Sequence, residues 1–477
     1  MENTVWYSFY KEIYPKKDFE KLLEFLKQPQ KRSLRVNTKR ISIKEFLLIA
    51  QKKKWKLTSI PWCKEGFWIE REDESIPLAK HLIHHAGYFY LQEASSMFPV
   101  TLFDYDEEGG QLILDMAAAP GSKSTQIENM TGHKTIIISN EPATSRLKAM
   151  ASNLERFSTS TIVVSQKDGS FFGKIYPNTF DKVLLDAPCS GDGMIRKDQS
   201  ILKSWSPNDS LFMAKLQKKL LLSAFESLKP GGQLIYSTCT FSPYENENVL
   251  QYLIDHYGDI LETEYVKEYS GNTIKEFEGN VYDERIKAGI RILPWKHDSE
   301  GFFAIKIIKT SNTPGTRNQP LQKRNDLYLS QKKEQIIISY IQKHFGFDFE
   351  IPKKHVLIEK SHTIWMVPSR SLTEFSELQS PWPGMKIGEL YNHDLKISHS
   401  FALEYGSQST EHVYHLNEEE LQKIMLGRDI SIQENFYTGD ILILRSQNVS
   451  IGVGKYLDGT IKNLLPRNMV VKQGSLY

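Results

Sequence analysis

Five short apolar runs separated by helix-length segments constrain this chain more than any other feature: Leu112-Ile113-Leu114, 135–139, 161–165, 180–185 and 233–237. Bounded apolar strands that alternate with helices indicate βαβ units, and strands apolar throughout predict a parallel sheet covered on both faces. Two further runs, 289–293 and 301–308, lie close enough to form an antiparallel hairpin at one sheet edge. The fold class is therefore α/β with a Rossmann-like sheet, over residues 76–309.

A chain of 477 residues has room for about three domains at the usual size. Residues 1–75 read as a small α+β unit, with a helical pattern over 17–25, an alternating strand over 33–38 and a helix over 43–54. Residues 310–333, with Pro314, Gly315 and Pro320 and few large apolar groups, read as a linker. A small intermediate domain over 334–395 and a β-rich module over 396–477 complete the expected order. Hydrophobic residues at 40% and charged residues at 25% exclude disordered and collagen-like classes. No run approaches the roughly 18 apolar residues of a membrane span, and Met1-Glu2-Asn3-Thr4 begins no signal peptide. Three cysteines are too few for a disulfide framework, so a reducing cytoplasm is the expected location. With a net charge of +2, any surface for nucleic acid must be local.

After the first strand of the sheet comes Asp115-Met116-Ala117-Ala118-Ala119-Pro120-Gly121-Ser122-Lys123-Ser124. Small side chains at a strand-to-helix turn let the backbone approach a ligand. A phosphate-gripping loop would need Gly at Met116 and Lys at Ser122, and a dinucleotide fingerprint would need glycines within Ala117 to Ala119; both fail. Glu141, at the end of the second strand, follows Gly121 by twenty residues, the spacing of a carboxylate that receives ribose hydroxyls. Asp168 ends the third strand and Asp186 the fourth. Polar groups at neighbouring carboxyl ends converge on one crevice. A ribose-bearing ligand without pyrophosphate points to S-adenosylmethionine, with Ala117, Ala118, Ala119, Pro120, Gly121, Ser122, Lys123, Glu141, Asp168 and Asp186 as its candidate contacts.

Cys189 follows the fourth strand and Cys239 the fifth, so both should stand over that crevice. The bland reading of a lone cysteine is a small buried apolar residue. Zinc sites favour close-spaced pairs, which a separation of fifty residues does not offer, and a disulfide suits an oxidising compartment. Two thiols beside a methyl donor suit methylation of a pyrimidine at C5. That carbon is too electron-poor to attack a methyl group until a thiolate adds to C6. One cysteine is then the nucleophile and the other assists release, while Asp186 holds the N3/N4 edge of a cytosine extruded from its stack.

Asp186-Ala187-Pro188-Cys189-Ser190-Gly191, Ser237-Thr238-Cys239-Thr240 and Ala118-Ala119-Pro120-Gly121-Ser122-Lys123 together resemble the Nop/Sun family of RNA 5-methylcytosine methyltransferases. Gln92-Glu93-Ala94-Ser95-Ser96-Met97 and Leu34-Arg35-Val36-Asn37-Thr38 resemble family segments too, so the likeness covers about residues 1–310. Ser122 departs from it, standing where many members carry a second glycine. The resemblance implies Cys239 as nucleophile, Cys189 in product release and Asp186 in cytosine activation. Gly452-Val453-Gly454-Lys455 with Ile461-Lys462-Asn463-Leu464-Leu465-Pro466-Arg467 is similar to the PUA-type RNA-binding module that closes one ribosomal branch of the family. That similarity implies cytosine in small-subunit ribosomal RNA near the decoding site, with the RNA or the small subunit as partner, a monomeric enzyme, and altered aminoglycoside susceptibility as a consequence. Transfer RNA methylation and a non-catalytic ribosome-assembly factor are the rival readings.

Candidate RNA contacts are Arg35, Arg196, Lys197, Lys455, Lys462 and Arg467. The N-terminal unit is locally basic, from Lys27, Lys31 and Arg32 through Lys39 and Arg40 to Lys52, Lys53, Lys54 and Lys56, with Trp55, Trp62 and Trp68 among or after them. This pattern suits either phosphate contact with base stacking or a solvated basic helix over an aromatic core. Arg196-Lys197 suits a phosphate grip or a solvated loop. Lys123 suits either the donor or the bound base, or a simple turn cap. His81, His84 and His85 have helical spacing, but no third ligand or general-base Glu accompanies them, so no metal is expected there and a surface or RNA-facing cluster is.

Overall fold

The computed structural model describes residues 4–105, 110–315, 327–391, 394–447, 449–467 and 469–470. Two helices, Val5–Ile13 and Lys16–Phe25, precede an antiparallel sheet of β1 (Ser33–Val36), β2 (Trp55–Ile60), β3 (Cys63–Arg71) and β4 (Phe89–Tyr90), ordered β2-β3-β1-β4. A helix over Ile43–Lys52 begins at a reciprocal cap, in which Ser42 Oγ accepts from the Glu45 N–H and Glu45 accepts from the Ser42 N–H. The boundary expected at residue 75 falls short, because β4 completes this sheet by pairing Phe89 with Val36. A two-residue strand carries no alternation from which to read it. The opening helices pack on the central domain, where Trp6, Tyr10 and Phe19 share a cluster with Ile195, Trp205 and Phe241.

The central sheet contains β5 (Leu112–Asp115), β6 (Ile136–Asn140), β7 (Ile162–Ser165), β8 (Phe180–Asp186), β9 (Leu228–Thr238) and β10 (Leu261–Thr263). After a small hairpin, β11 (Glu276–Phe277) and β12 (Asn280–Val281), it is completed by β13 (Ile290–Ile292) and β14 (Phe302–Lys309). The order is β10-β14-β9-β8-β5-β6-β7, with β13 also paired to β14. Strands β5 to β9 run parallel and β14 runs antiparallel to β9. The expected edge hairpin is β13 with β14, and β10 joins it along the far end of β14. Successive residues serve opposite faces: Leu112 and Leu114 enter one apolar cluster and Ile113 the other, as do Val183 and Leu185 against Leu184. Helices over Ser122–Thr131 and Thr144–Phe157 contribute to one layer, and those over Pro207–Ser227 and Glu247–Tyr257 to the other.

The C-terminal half starts with a helix over Gln331–Phe345 and a sheet β15 (His355–Lys360), β16 (Thr363–Pro368), β17 (Met385–Tyr391), β18 (Asp394–Ile397). A helix over His399–Tyr405 leads to a second sheet of β19 (Val413–His415), β20 (Ile430–Ser431), β21 (Ile441–Ser446), β22 (Val449–Leu457) and β23 (Thr460–Asn463). The expected division at 395/396 cuts through β18. It fails physically as well: Ile337, Phe345 and Ile397 share one buried cluster with Phe401, Ile443 and Val453, so the two sheets have a common core. Residues 316–326 of the expected linker and 471–477 of the expected terminal module lie outside the described residues.

This half docks on the exposed edge of the central sheet. The Val164 N–H of β7 donates to Trp382 O at 2.9 Å, and Ser380 Oγ donates to Val164 O at 2.6 Å. Pairing an edge strand in this way removes a template for aggregation. Among the described residues no helix is long and apolar enough to cross a membrane.

Candidate active site

Because β5, β8 and β9 are parallel, their carboxyl ends open on one side, and there a cavity of about 580 Å³ is found. Asp115, Ala117, Ala118, Ala119, Pro120, Ser122 and Lys123 line one wall. Asp186, Cys239, Met194, Lys197, Glu300 and Phe302 line the other, and parts of the N-terminal unit, including Arg32, Ser33 and Tyr90, close the mouth. The first wall turns at Gly121, whose φ of +94° is a left-handed conformation that suits glycine and starts the helix over Ser122–Thr131.

Lys123 Nζ lies 2.7 Å from Asp186 Oδ2 and donates to Ser96 Oγ at 2.8 Å, while Ser237 Oγ donates to Asp186 Oδ1 at 2.8 Å. Lys123 is thereby tied to the base-side wall rather than to its own turn. The thiols meet next to this pair: Cys189 Sγ and Cys239 Sγ are 3.0 Å apart, and the Cys239 N–H points at Cys189 Sγ at 3.4 Å. Hydrogen bonding with Cys239, followed by burial, pushes the Cys189 thiol well above its ordinary range. Of the two thiols, Cys239 is the one that lines the cavity.

The loops that carry the two cysteines are fixed by buried groups that sequence reading missed. Glu245 accepts from the Ser190 N–H at 2.9 Å and from Gln217 Nε2 at 2.8 Å. Asp192 accepts from Trp6 Nε1 at 3.1 Å, Thr240 Oγ1 at 2.6 Å and the Phe241 N–H at 2.9 Å. The Gly193 N–H donates to Cys239 O, and the Gly301 N–H to Gly193 O, both at 3.0 Å. A Cβ on Gly193 would lie 2.4 Å from Gly301 O and 2.7 Å from Cys239 O, so close backbone approach requires glycine there. No short motif marks these contacts, which join residues far apart in the chain.

Other expected residues are placed differently. Glu141 is buried behind the wall, accepting from the Ala143 N–H at 2.9 Å and facing Arg146 at 3.1 Å. Asp168 is mostly exposed, caps Ser170 and lies 3.3 Å from Lys219. Neither is among the residues lining the cavity. Asp115, which the spacing argument passed over, is 1% exposed. Its Oδ2 accepts from Ser124 Oγ at 2.7 Å, and Oδ1 makes no full hydrogen bond. Burial lifts its carboxyl to about 7. An acceptor left over beside a wall of alanines fits a cationic or hydroxyl-bearing ligand such as S-adenosylmethionine.

Two expected RNA contacts are corrected. Arg35 is fully buried, donating to Gln92 Oε1 at 2.9 Å and Thr125 Oγ1 at 2.9 Å, so it joins the N-terminal unit to the helix over Ser122–Thr131. Arg196 donates to Pro29 O at 2.6 Å and stacks on Phe25 at 4.2 Å. Both guanidiniums satisfy internal carbonyls and rings and are not presented to a phosphate. Lys197, by contrast, is exposed at the cavity. Arg467 is exposed, Lys455 half-buried, and Lys462 lies 2.7 Å from Asp429. Of the N-terminal basic run, Arg40 is also internal, and Trp55 and Trp62 are core residues. The expected surface histidine cluster is partly buried: His84 contacts Arg156 and His81 packs on Trp55.

A second histidine cluster went unnoticed in sequence. His344, His412 and Asp440 come together in the C-terminal half, with His412 Nε2 3.2 Å from Asp440. The imidazoles stack at 3.6 Å and 22°, which sets their nitrogen lone pairs in nearly parallel planes rather than at one point.

Comparison with known proteins agrees with this architecture. Residues 101–308 match the family model of 16S rRNA methyltransferase RsmB/F, residues 5–94 that of the N-terminal domain of 16S rRNA methyltransferase RsmF, and residues 411–471 that of the methyltransferase RsmF PUA domain. Ribosomal RNA small subunit methyltransferase F of Aeromonas salmonicida is 37% identical over 93% of this chain and 92% of its own length. The protein of that name from Vibrio vulnificus is 36% identical over 95% and 94%. Among solved structures, a methyltransferase homolog protein from Pyrococcus horikoshii is 32% identical, covering 64% of this chain and 94% of its own, with a TM-score of 0.57. NSun6 from the same organism, solved with SFG, shares the fold at 23% identity and a TM-score of 0.54, over 64% of this chain and 97% of its own. Related over nearly its whole length and matching three family models in chain order, the chain belongs to the ribosomal RNA small subunit methyltransferase F family of S-adenosylmethionine-dependent RNA cytosine-C5 methyltransferases.

Proposed function

We propose that this chain methylates C5 of cytosine in small-subunit ribosomal RNA, near the decoding site, by way of a covalent adduct between Cys239 and C6 of the base. The observation that carries the reading is the pair of thiols 3.0 Å apart, of which Cys239 lines a cavity that also holds the Lys123–Asp186 pair. Asp115, Ala117 to Ala119 and Pro120 would hold S-adenosylmethionine, which supplies an electrophilic sulfonium methyl to the activated C5. Of the other expected contacts, Glu141 enters the reading indirectly, by fixing the turn after β6, and Asp168, bound to Ser170 and Lys219, has no part in it.

Cys239 adds to C6 as a thiolate, and the electron pair of the C5=C6 bond moves toward N3 and O2 before C5 takes the methyl. Asp186 accepts from the exocyclic amino group and Lys123 steadies Asp186. Loss of the C5 proton restores the double bond and expels Cys239 as a thiolate. The Cys189 thiol donates a hydrogen bond to the sulfur of Cys239 and stabilises that leaving thiolate.

The reading takes the small ribosomal subunit as partner, a monomer in the cytoplasm as the working form, and altered aminoglycoside susceptibility as a cellular consequence. Its test is incubation of the protein and of Cys239→Ala with labelled S-adenosylmethionine and unmodified small subunits, followed by mass-spectrometric mapping. Label on one or more cytosines with wild type and none with the variant is the expected result. Label retained by Cys239→Ala removes the nucleophile assignment. Label appearing on tRNA instead of subunits transfers the substrate to tRNA, and no label with any RNA favours the assembly-factor reading.

A further inference from the structure

Glu300 stands in the base-side wall of the cavity next to Phe302 and Cys239. It is 2% exposed, and neither of its carboxyl oxygens has a hydrogen-bond partner among the described residues. Its backbone is held firmly: the Glu300 N–H donates to Glu93 Oε1 at 3.1 Å, and the next residue bonds to Gly193, which in turn bonds to Cys239 O. A fixed main chain therefore holds a carboxyl group with two buried, unused oxygens in the wall that Cys239 also lines. Native proteins rarely leave such a group bare unless a ligand completes it.

The reaction has a matching vacancy. Addition of Cys239 to C6 drives negative charge onto N3 and O2 of the pyrimidine, and that charge requires hydrogen-bond donors. Asp186 is an acceptor, already receiving Lys123 and Ser237, and two of the three N–H donors of Lys123 go to Asp186 and Ser96. We propose that Glu300 is a catalytic residue, donating a hydrogen bond from its carboxyl group to the N3/O2 edge of the target cytosine while Cys239 adds to C6. The inference rests on the functional reading above and adds a residue to it. No bond of Glu300 breaks: its O–H is shared with the pyrimidine edge until the electron pair held there forms the C5–CH3 bond, and loss of the C5 proton to solvent then supplies the pair that restores C5=C6 and expels Cys239 as a thiolate.

Surroundings keep the required proton in place. Burial, followed by repulsion from Glu93, lifts the Glu300 carboxyl to about 8, against the opposing pull of Arg196 and Lys197. A carboxylic acid kept neutral by an apolar setting can act as a donor where an ionised one cannot.

Glu300→Gln keeps a neutral donor of similar size, whereas Glu300→Leu keeps the bulk and removes the donor. Single-turnover methyl transfer to unmodified small subunits is followed between about pH 6 and about pH 10, and S-adenosylmethionine affinity is measured alongside. Expected are a loss on the order of 10²-fold or more in Glu300→Leu with cofactor affinity unchanged, near-retention in Glu300→Gln, and an alkaline decline in wild type that Glu300→Gln lacks. Infrared difference spectra of wild type against Glu300→Gln, taken without RNA, should show a carboxylic acid carbonyl at about pH 7 that disappears at higher pH. Wild-type rates in Glu300→Leu, equal inactivity of both variants, or an ionised Glu300 at about pH 7 each overturn the proposal. Absence of cytosine methylation by wild type overturns the underlying reading, a result distinct from the three just named.

Discussion

The central sheet and the C-terminal half bury their apolar residues by different routes. In the central sheet each strand divides its own residues between two clusters, so that Leu112 and Leu114 serve one face and Ile113 the other. A few consecutive residues then suffice to define a strand, and the residue after its last apolar position arrives at the open end. In the C-terminal half the helices Gln331–Phe345 and His399–Tyr405 join two sheets around one cluster, so no short window contains its own partners. Local burial makes chemistry readable from sequence, whereas shared burial hides the boundaries between units.

The sharpest break of this contrast would be a Cys239→Ala protein that retains methyl transfer. Removal of a nucleophile costs on the order of 10⁴-fold or more. If the strand ends of the central sheet carry the chemistry, single-turnover label transfer falls by that scale while the thermal unfolding midpoint stays near wild type. Cys189→Ala should instead accumulate a protein–RNA adduct resistant to denaturing gels, since it leaves addition intact and removes the donor to the leaving sulfur.

Next in size is Gly193→Ala. A methyl group there must displace the carbonyls of Gly301 and Cys239, and misplacement of a reacting group by about 1 Å costs on the order of 10²-fold. The expected outcome is a lower kcat with an unchanged Kd for S-adenosylmethionine, because the cofactor wall is on the other side of the cavity. An equal loss in both quantities would show that the two walls are not independent.

How far sequence reached follows from the same distinction. The place of Ala117, Lys123, Asp186 and Cys239 at the cavity was legible because each comes soon after the end of an apolar run. Asp115 and Glu300 were not singled out, since what makes them unusual is the absence of partners in three dimensions. Arg35 and Arg196 were misread for the converse reason: a cation in a basic stretch looks like a phosphate contact until its carbonyl and ring partners, from other parts of the chain, are seen. The twenty-residue spacing led to Glu141 at the end of β6, whose side chain turns back to Ala143 and Arg146. In the C-terminal half, β18 and the helix His399–Tyr405 straddle the expected boundary because the signal that unites them is packing across sheets.

Acid should act on the junction of the two halves more than on the sheet. Burial first, with nearby positive charges, pushes His81 and His85 down to about 4 and His399 down to about 3. Unfolded histidine titrates at about 6.5, so between about pH 4 and about 6.5 the unfolded chain binds more protons than the folded one. The contribution of these histidines is complete above that window and declines as pH falls through it, against the opposite contribution of the raised carboxyls Asp115 and Glu300. A decrease of several degrees in the first thermal transition between about pH 7 and about pH 5 is expected, with earlier proteolytic cleavage near the His399 helix. His399 has no hydrogen-bond partner at either ring nitrogen among the described residues, so His399→Leu should flatten part of the acid slope without loss at neutral pH. An unchanged slope would place the acid sensitivity elsewhere.

The smallest expected effects concern RNA affinity and distinguish residues that look alike in sequence. Among the described residues Lys455 and Arg467 form no ion pair; they stand on the terminal sheet and the segment after it, while Lys462 is paired with Asp429 at 2.7 Å. A cation that contacts a phosphate releases a counterion on binding, which contributes about 0.7 to 0.9 to the slope of log K against log salt. Arg467→Gln should therefore weaken binding a few-fold at low salt and reduce that slope by about one contact, with Lys455→Gln close behind. Lys462→Gln should change the slope less, because its charge is already partly neutralised in the free protein. Equal slopes for all three variants and wild type would remove the terminal sheet from the RNA interface and leave Lys197, at the cavity itself, as the remaining cation of the expected set.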